Sequence, residues 1–135
     1  MANQGPIRIL AVDDHALLRK GIRTLISAES DMQLVAEAST GREAVEEFRT
    51  HRPDITIMDL QMPDMGGHEA TAAIRTAERA TGGHLPILAL TAGQKDDDRD
   101  ACIAAGADGY LAKPIAARDL FAKIESLVDE CISNV

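Results

Sequence analysis

Five short apolar runs alternate along the chain with segments in which apolar residues recur at helical spacing. Most of the runs are continuously apolar, as is typical of parallel strands whose two faces are both covered by helices. The second run carries Gln33 and Glu37 and therefore predicts an edge strand. The predicted strands are Ile7–Val12, Gln33–Ala38, Ile55–Met58, Ile87–Leu90 and Gly109–Ala112.

The segments between these runs predict helices that each have one apolar face to bury. A second helix is predicted over Arg42–Arg49, and a third runs from Gly66–Gly67 through Ile74 to Gly82–Gly83. A further helix begins at Asp96–Asp98, where the helix dipole favours carboxylates. The apolar stripes of the first and last helices are Leu18, Ile22, Leu25 and Ile26, and Leu120, Ile124, Leu127, Val128 and Cys131.

This alternation predicts an α/β fold, a doubly wound five-stranded parallel sheet of the flavodoxin-like (βα)5 type. Right-handed crossovers favour the strand order 2-1-3-4-5, which makes the first and third strands neighbours. The chain has 135 residues, so we expect a single domain over residues 1–135 with its core at about 7–131.

Polar side chains stand where four of the predicted strands end. Asp13 and Asp14 follow the first strand, Asp59 the third, Thr91 the fourth and Lys113 the fifth. The carboxyl ends of parallel strands share one edge of a sheet, so these side chains should meet there. Three carboxylates repel one another unless a cation joins them, which favours a hard divalent metal ion.

This set of side chains suits phosphoryl transfer to a carboxylate. Asp59 is the predicted acceptor, because it ends the central strand and the loop that follows leads away, so that its carboxylate can face an incoming donor. Asp14, Asp59 and the backbone carbonyl of Gln61 would supply protein oxygens to Mg²⁺, which keeps waters in its other positions. Lys113 would neutralise phosphoryl oxygens, and the Thr91 hydroxyl would donate a hydrogen bond to one of them.

The charge of the chain, its first residues and the spacing of its histidines exclude several kinds of partner and site. The net charge is −8 with an isoelectric point near 4.9, so direct nucleic-acid binding is not expected. The first residues show no export signal and no apolar run approaches about 18 residues, which predicts a cytoplasmic protein without a membrane span. The histidines at 15, 51, 68 and 84 lie on separate segments, so a zinc site is not predicted.

Four segments together resemble the receiver (response-regulator) domains of two-component signalling. They are AVDDHALLRKG, DITIMDLQMPDMGG, PILALTA and GADGYLAKPI, and the resemblance covers essentially the whole chain. It implies that a histidine kinase or a histidine phosphotransfer protein phosphorylates Asp59. It also implies that Asp13, Asp14, Asp59 and the Gln61 carbonyl organise Mg²⁺.

The resemblance further implies a conformational switch. Lys113 would pair with the phosphoryl group, and Thr91 and Tyr110 would form the switch pair. Movement of Thr91 toward the phosphate would let the Tyr110 ring turn inward and change a protein-binding face. The domain would act only on its own phosphorylation and dephosphorylation, so it is not an enzyme with a separate substrate. We expect it to be a monomer or weak dimer.

The two halves of the chain resemble different kinds of receiver. Residues 7 to about 67 resemble receivers that precede helix-turn-helix domains, whereas the sequence from Thr71 onward resembles receivers of hybrid sensor kinases. The output face lies in the second half, which suggests partners of the hybrid-kinase or phosphorelay type.

Two other functions share parts of this pattern. An aspartyl-phosphate phosphohydrolase needs Asp-x-Asp after the first strand, whereas this strand ends in DDHA. A flavodoxin-like cofactor binder needs a hydroxyl-rich phosphate loop and flanking aromatic rings, and only 2% of this chain is aromatic. Both alternatives are therefore disfavoured.

Overall fold

The computed structural model describes residues 6–60, 67–91, 100, 103–112 and 115–133. Five parallel strands form one sheet in the order β2-β1-β3-β4-β5, so the predicted fold and strand order are confirmed. The elements in chain order are β1 (Ile7–Val12), α1 (Ala16–Ser27), β2 (Met32–Ala38), α2 (Gly41–His51), β3 (Ile55–Asp59), α3 (Gly67–Thr81), β4 (Ile87–Thr91), β5 (Gly109–Ala112) and α4 (Ala117–Ser133).

The helix predicted to begin at Asp96–Asp98 lies largely outside the described residues. Positions 100 and 103–105 are helical, in agreement with a helix in that part of the chain. Among the described residues, no helix combines the length and the apolar character needed to cross a membrane.

In the described part of the chain, helices pack against both faces of the sheet. Alternate residues of the strands point to opposite faces, so the continuous apolar runs supply both cores at once. On one face, Ile57 and Leu90 pack with the apolar stripes of α1 and α4. On the other, Met58 and Ile87 pack with α2 and α3, where Phe48 is completely buried.

Helix α2 begins and ends as its sequence dictates. The Thr40 side chain caps it by accepting a hydrogen bond from the backbone of Glu43 at 3.1 Å. In return, the Ser39 backbone N–H and hydroxyl donate to the Glu43 carboxylate and hold its pKa below the usual value. Arg52 ends the helix in the left-handed conformation, with φ of 45°, just before Pro53.

The edge strand β2 is tied to α1 by ion pairs. The predicted edge position is confirmed, since β2 stands first in the strand order and pairs with β1. Arg23 donates two hydrogen bonds to Glu37, at 2.8 and 3.1 Å. These bonds lower the pKa of Glu37 and raise that of Arg23, each with a smaller Coulombic contribution.

A buried ion network at the amino end of the sheet holds β4 and β5 in place. Arg75 of α3 is only 8% exposed and donates to Glu78 at 2.6 Å and to Asp108 at 2.5 Å. The Asp108 carboxylate also accepts a hydrogen bond from the backbone N–H of Ile87, the first residue of β4. The Arg75 side chain passes close to Gly106, where a Cβ would lie only 2.9 Å from Arg75 Cγ. The backbone of Gly106 also has φ of 118°, a conformation that glycine adopts readily.

Candidate functional site

The first and third strands place two carboxylates side by side at the carboxyl edge of the sheet. Val12 of β1 is in register with Met58 of β3, so Asp13 and Asp59 follow at neighbouring positions. Both residues are 0% exposed. The Asp14 side chain is 26% exposed and stands at the rim. The strand pairing that the sequence predicts therefore produces the predicted cluster.

A histidine joins this acidic cluster. Asp13, Asp14, His15 and Asp59 each offer one ligand atom, and these atoms all lie within 4.8 Å of one another. The His15 ring Nδ1 is 3.0 Å from Asp13 Oδ1 and 3.1 Å from Asp14 Oδ1. We call these four residues the acidic group.

Backbone contacts fix the position of Asp13. Its N–H donates to the carbonyl of Ala38 at 3.0 Å, which extends the β1–β2 pairing by one residue. Its own carbonyl accepts a 2.6 Å hydrogen bond from the Arg19 guanidinium of α1. The His15 backbone N–H donates to Asp13 Oδ1 at 2.7 Å. The backbone of Asp13 is thus held by β2 and α1, and its carboxylate accepts a hydrogen bond from the β1–α1 turn.

Asp59 is held by the continuation of the sheet. It is the last residue of β3 and is in register with Leu90 of β4. The next residue, Leu60, still donates its N–H to the Leu90 carbonyl at 3.1 Å. The Asp59 carboxylate therefore has a defined place at the edge from which the following loop departs.

The chemistry of the acidic group suits a divalent metal ion. At least two of its carboxylates are buried, and like charges in such proximity repel strongly unless a cation lies among them. Carboxylate oxygens gathered at this edge of the sheet match the preference of Mg²⁺, which retains waters and takes few protein ligands. The residues present therefore fit the magnesium ion that the sequence predicts.

Thr91 and Tyr110 lie on the same face of the sheet. Thr91 ends β4 and is buried, and Tyr110 in β5 is in register with Ala89, two residues before Thr91. The half-buried Tyr110 ring packs against the small residues Ala89 and Ala107. Ala89 therefore neighbours both members of the predicted switch pair, Tyr110 across the two strands and Thr91 along β4.

Sequence reasoning reached some of this site and missed other parts. The structure brings Asp13, Asp14 and Asp59 together as predicted and places Thr91 at the end of β4, beside β3. The predicted Gln61 and Lys113 lie outside the described residues. The four histidines have no ligand spacing among themselves, so the sequence does not indicate a role for His15, whose signal is its place directly after Asp13 and Asp14. Sequence reasoning also missed Arg19, whose only sequence signal is its place one turn into the helix that follows Asp13.

Comparison with known proteins agrees with this geometry. The chain is 37% identical over 120 residues to the nitrate/nitrite response regulator protein NarL of Escherichia coli, a match that covers 89% of this chain and 54% of that protein. The chain therefore spans about half the length of this curated relative.

Two solved structures show the same fold. A LuxR-family two-component response regulator from Aurantimonas superposes with a TM-score of 0.84 at 36% identity, covering 93% of this chain and 87% of that one. The receiver domain of Ssk1 from Saccharomyces cerevisiae, crystallised with the histidine phosphotransfer protein Ypd1, has a TM-score of 0.84 at 26% identity, covering 93% of this chain and 91% of that one.

The model of one protein family, the response regulator receiver domain, matches residues 9–125. That span includes most of β1, all of β2 to β5 and every member of the acidic group. The chain therefore belongs to the response regulator receiver domains of two-component systems.

Proposed function

We propose that this chain accepts a phosphoryl group on Asp59 with the help of Mg²⁺ and thereby switches a protein-binding face. The observation that carries the proposal is the acidic group itself. Asp59 is buried at the end of the central strand, with ligand atoms of Asp13 and Asp14 within 4.8 Å. A lone buried carboxylate would have no such neighbours.

The transfer requires one bond to form and one to break. A carboxylate oxygen of Asp59 attacks the donor phosphorus in line, and the bond from phosphorus to the donor atom breaks as the new P–O bond forms. From a phosphohistidine the leaving atom is an imidazole nitrogen; from a small acyl phosphate it is a carboxylate oxygen. Hydrolysis of the acyl phosphate later restores Asp59, so the domain catalyses only its own phosphorylation and dephosphorylation.

The other residues of the site would neutralise the charge of the phosphoryl group and orient it. Asp13, Asp14, Asp59 and the Gln61 carbonyl would hold Mg²⁺. When bound, Mg²⁺ offsets the negative charge that gathers on the phosphoryl oxygens. Lys113 would pair with one of these oxygens, and the buried Thr91 hydroxyl would donate a hydrogen bond to another.

The switch would pass from Thr91 to Tyr110. A phosphoryl oxygen can move the equilibrium only by contacts that it makes in one state and not in the other. Displacement of Thr91 toward the phosphate would open space beside Ala89, which lies in register with Tyr110. The half-buried ring could then turn further inward and change the face formed by β5, α4 and the helix before β5.

The phosphodonor is a histidine kinase or a histidine phosphotransfer protein, acting in the cytoplasm on a monomer or weak dimer. The strongly acidic chain, with a net charge of −8, is not suited to touch nucleic acid itself. Residues 1–135 would form this one receiver domain. The resemblance of the second half to hybrid-kinase receivers favours a phosphorelay donor.

An apolar patch beside the acidic group offers such a donor a place to dock. Leu17, two residues after His15, is 82% exposed. It lines a cavity of about 520 Å³ with Leu18, Gly21, Leu25 and Ile115. An amphipathic helix carrying the phosphohistidine could cover this patch while its imidazole reaches Asp59.

The test is phosphorylation followed by intact mass. With Mg²⁺ and a small acyl phosphate, the protein should gain one phosphoryl mass, and the label should be stable to acid but labile to alkali. Asp59→Asn should abolish the gain, whereas Asp31→Asn, which alters an exposed carboxylate at the opposite edge of the sheet, should keep it. Unchanged labelling of the Asp59 variant would place the acceptor elsewhere.

The docking surface is tested in the same assay with a protein donor. Leu17→Asp should slow transfer from a phosphorylated histidine phosphotransfer protein and leave labelling by the small acyl phosphate unchanged. Equal rates of transfer from the protein donor to the variant and to the unaltered chain would contradict docking on α1.

A further inference from the structure

The end of the molecule opposite the acidic group carries a cleft lined by arginine. Arg49 and Arg52, at the end of α2, line a cavity of about 500 Å³ with Ala77 and Ala80 of α3, and we call these four residues the arginine cleft. The chain has 22 acidic and 14 basic side chains, so a cleft whose described charged residues are both positive runs against its overall charge. Arg52 lies three residues before β3 begins, whereas Asp59 ends that strand.

Arg52 is fixed in a conformation that arginine seldom adopts. It is the one non-glycine residue with a positive φ, 45°, in the described part of the chain, and glycine is favoured at such helix ends. Its N–H donates to the Phe48 carbonyl at 2.8 Å, and its own carbonyl accepts a hydrogen bond from the Arg8 guanidinium at 3.2 Å. Its guanidinium lies 5.2 Å from the centre of the buried Phe48 ring. The charged group is therefore held beside the cleft, although glycine would suit the backbone better.

Neither arginine of the cleft is neutralised by a described carboxylate. The arginine ion pairs in the described part of the chain engage Arg19, Arg23 and Arg75. A helix end carries negative potential, but here the carbonyls of Phe48 and Arg52 already accept hydrogen bonds, which reduces it. Guanidinium groups bind carboxylates through paired N–H donors. The cleft therefore suits carboxylates supplied from outside.

We propose that the arginine cleft binds a glutamate-rich segment of a partner protein. The methylene groups of glutamate side chains can cover Ala77 and Ala80 while their carboxylates reach Arg49 and Arg52. A single phosphate ion would leave most of the cavity of about 500 Å³ to water and would gain nothing from the alanines. A partner bound at this end of β3 leaves the acidic group open, so the interaction goes beyond the proposed function and does not depend on it.

Fluorescence anisotropy with a fluorescein-labelled hexaglutamate peptide tests this proposal on the full chain. The titration uses metal-free buffer of low ionic strength, so that neither Mg²⁺ nor phosphoryl transfer contributes and the charges are little screened. The test variants are Arg49→Gln and Arg52→Gly, and glycine protects the fold because it adopts a φ of 45° without strain. Arg42→Gln removes an exposed positive charge from the other end of α2 and is the matched control.

We expect saturable binding of one peptide per chain. Arg49→Gln and Arg52→Gly should each weaken it roughly tenfold, since a hydrogen bond to a charged group is lost. Arg42→Gln should bind as the unaltered protein does, and circular dichroism should show the same fold in all four proteins. Equal affinities in the four proteins, or no binding by the unaltered protein, would overturn the proposal.

Two other occupants of the cleft predict different results. Displacement of the peptide by inorganic phosphate at the same concentration of negative charge would identify a general anion site. Dimers in sedimentation velocity that Arg52→Gly dissociates would identify a second copy of this chain. Either result would overturn the assignment to a glutamate-rich partner. Phosphorylation of Asp59 is measured separately, so a failure here leaves the proposed function standing.

Discussion

Replacing Asp59 by Asn should make the metal-free protein more stable, although it removes the residue on which the proposed function depends. The substitution keeps the shape of the side chain and removes one negative charge from the acidic group. Asp59 is 0% exposed, so its charge is little screened by water. The neighbouring ligand atoms of Asp13 and Asp14 lie within 4.8 Å of its own.

The size of the effect follows from these distances. At 4.8 Å and an effective dielectric constant of about 20, two unit negative charges repel by about 3.5 kcal/mol. Water at the rim weakens the repulsion between Asp59 and the partly exposed Asp14. Asp59 also takes part in other interactions that the amide would weaken, at a cost of about 1–3 kcal/mol. We therefore expect a net gain of about 2 kcal/mol.

Thermal unfolding followed by circular dichroism measures this gain. In EDTA the Tm of Asp59→Asn should exceed that of the unaltered protein by about 6 °C. Mg²⁺ at about 100 times its Kd should stabilise the unaltered protein by about 2.7 kcal/mol and the variant much less. Asp31→Asn controls for the loss of one surface charge and should change neither value. Equal stability of both proteins in EDTA, with no Mg²⁺ dependence, would refute the crowded-anion reasoning.

Two ion pairs that differ in burial should contribute differently to stability when their arginine is replaced. Arg75→Met leaves the carboxylates of Glu78 and Asp108 without their buried partner and should cost about 3–5 kcal/mol in urea unfolding. Arg23→Met removes the arginine of the exposed pair with Glu37 and should change the free energy of unfolding little. Equal decreases in the two arginine variants would contradict the role of burial. The hydrogen bonds from Arg23 lower the pKa of Glu37 in the folded protein. The pair therefore stabilises the fold fully above the unfolded pKa of about 4.3, and this stabilisation is lost as the pH falls through the lower pKa of the folded protein. In urea unfolding at a series of acidic pH values, the free energy of unfolding of Glu37→Gln should fall less steeply with decreasing pH than that of the unaltered protein. An identical dependence on pH in both proteins would show that this ion pair is not responsible.

Much of the fold was predictable because its signals are local. Continuous apolar runs indicated buried parallel strands, and all five predicted strands are found within one residue of their predicted bounds. Gln33 and Glu37 correctly indicated the edge strand. The third helix ends where Gly82 and Gly83 take positive φ angles that other residues rarely adopt.

The buried network around Arg75 could not be predicted in the same way. Its partners are Glu78 on the same helix, Gly106 and Leu85 through their carbonyls, and Asp108 before β5. Nothing in the local pattern distinguishes this arginine from those on exposed helix faces. Only the packing of α3 against the turns before β4 and β5 makes it internal.

The pattern of apolar residues was enough to predict which strands exist, their order, and the gathering of Asp13, Asp14 and Asp59 at one edge, because apolar periodicity and parallel topology constrain where strands end. Tertiary structure alone decided that His15 faces the carboxylates, that Arg19 holds the Asp13 carbonyl, and that Arg75 is buried. These outcomes depend on distances between side chains on separate elements, and such distances are set only when the helices pack on the sheet.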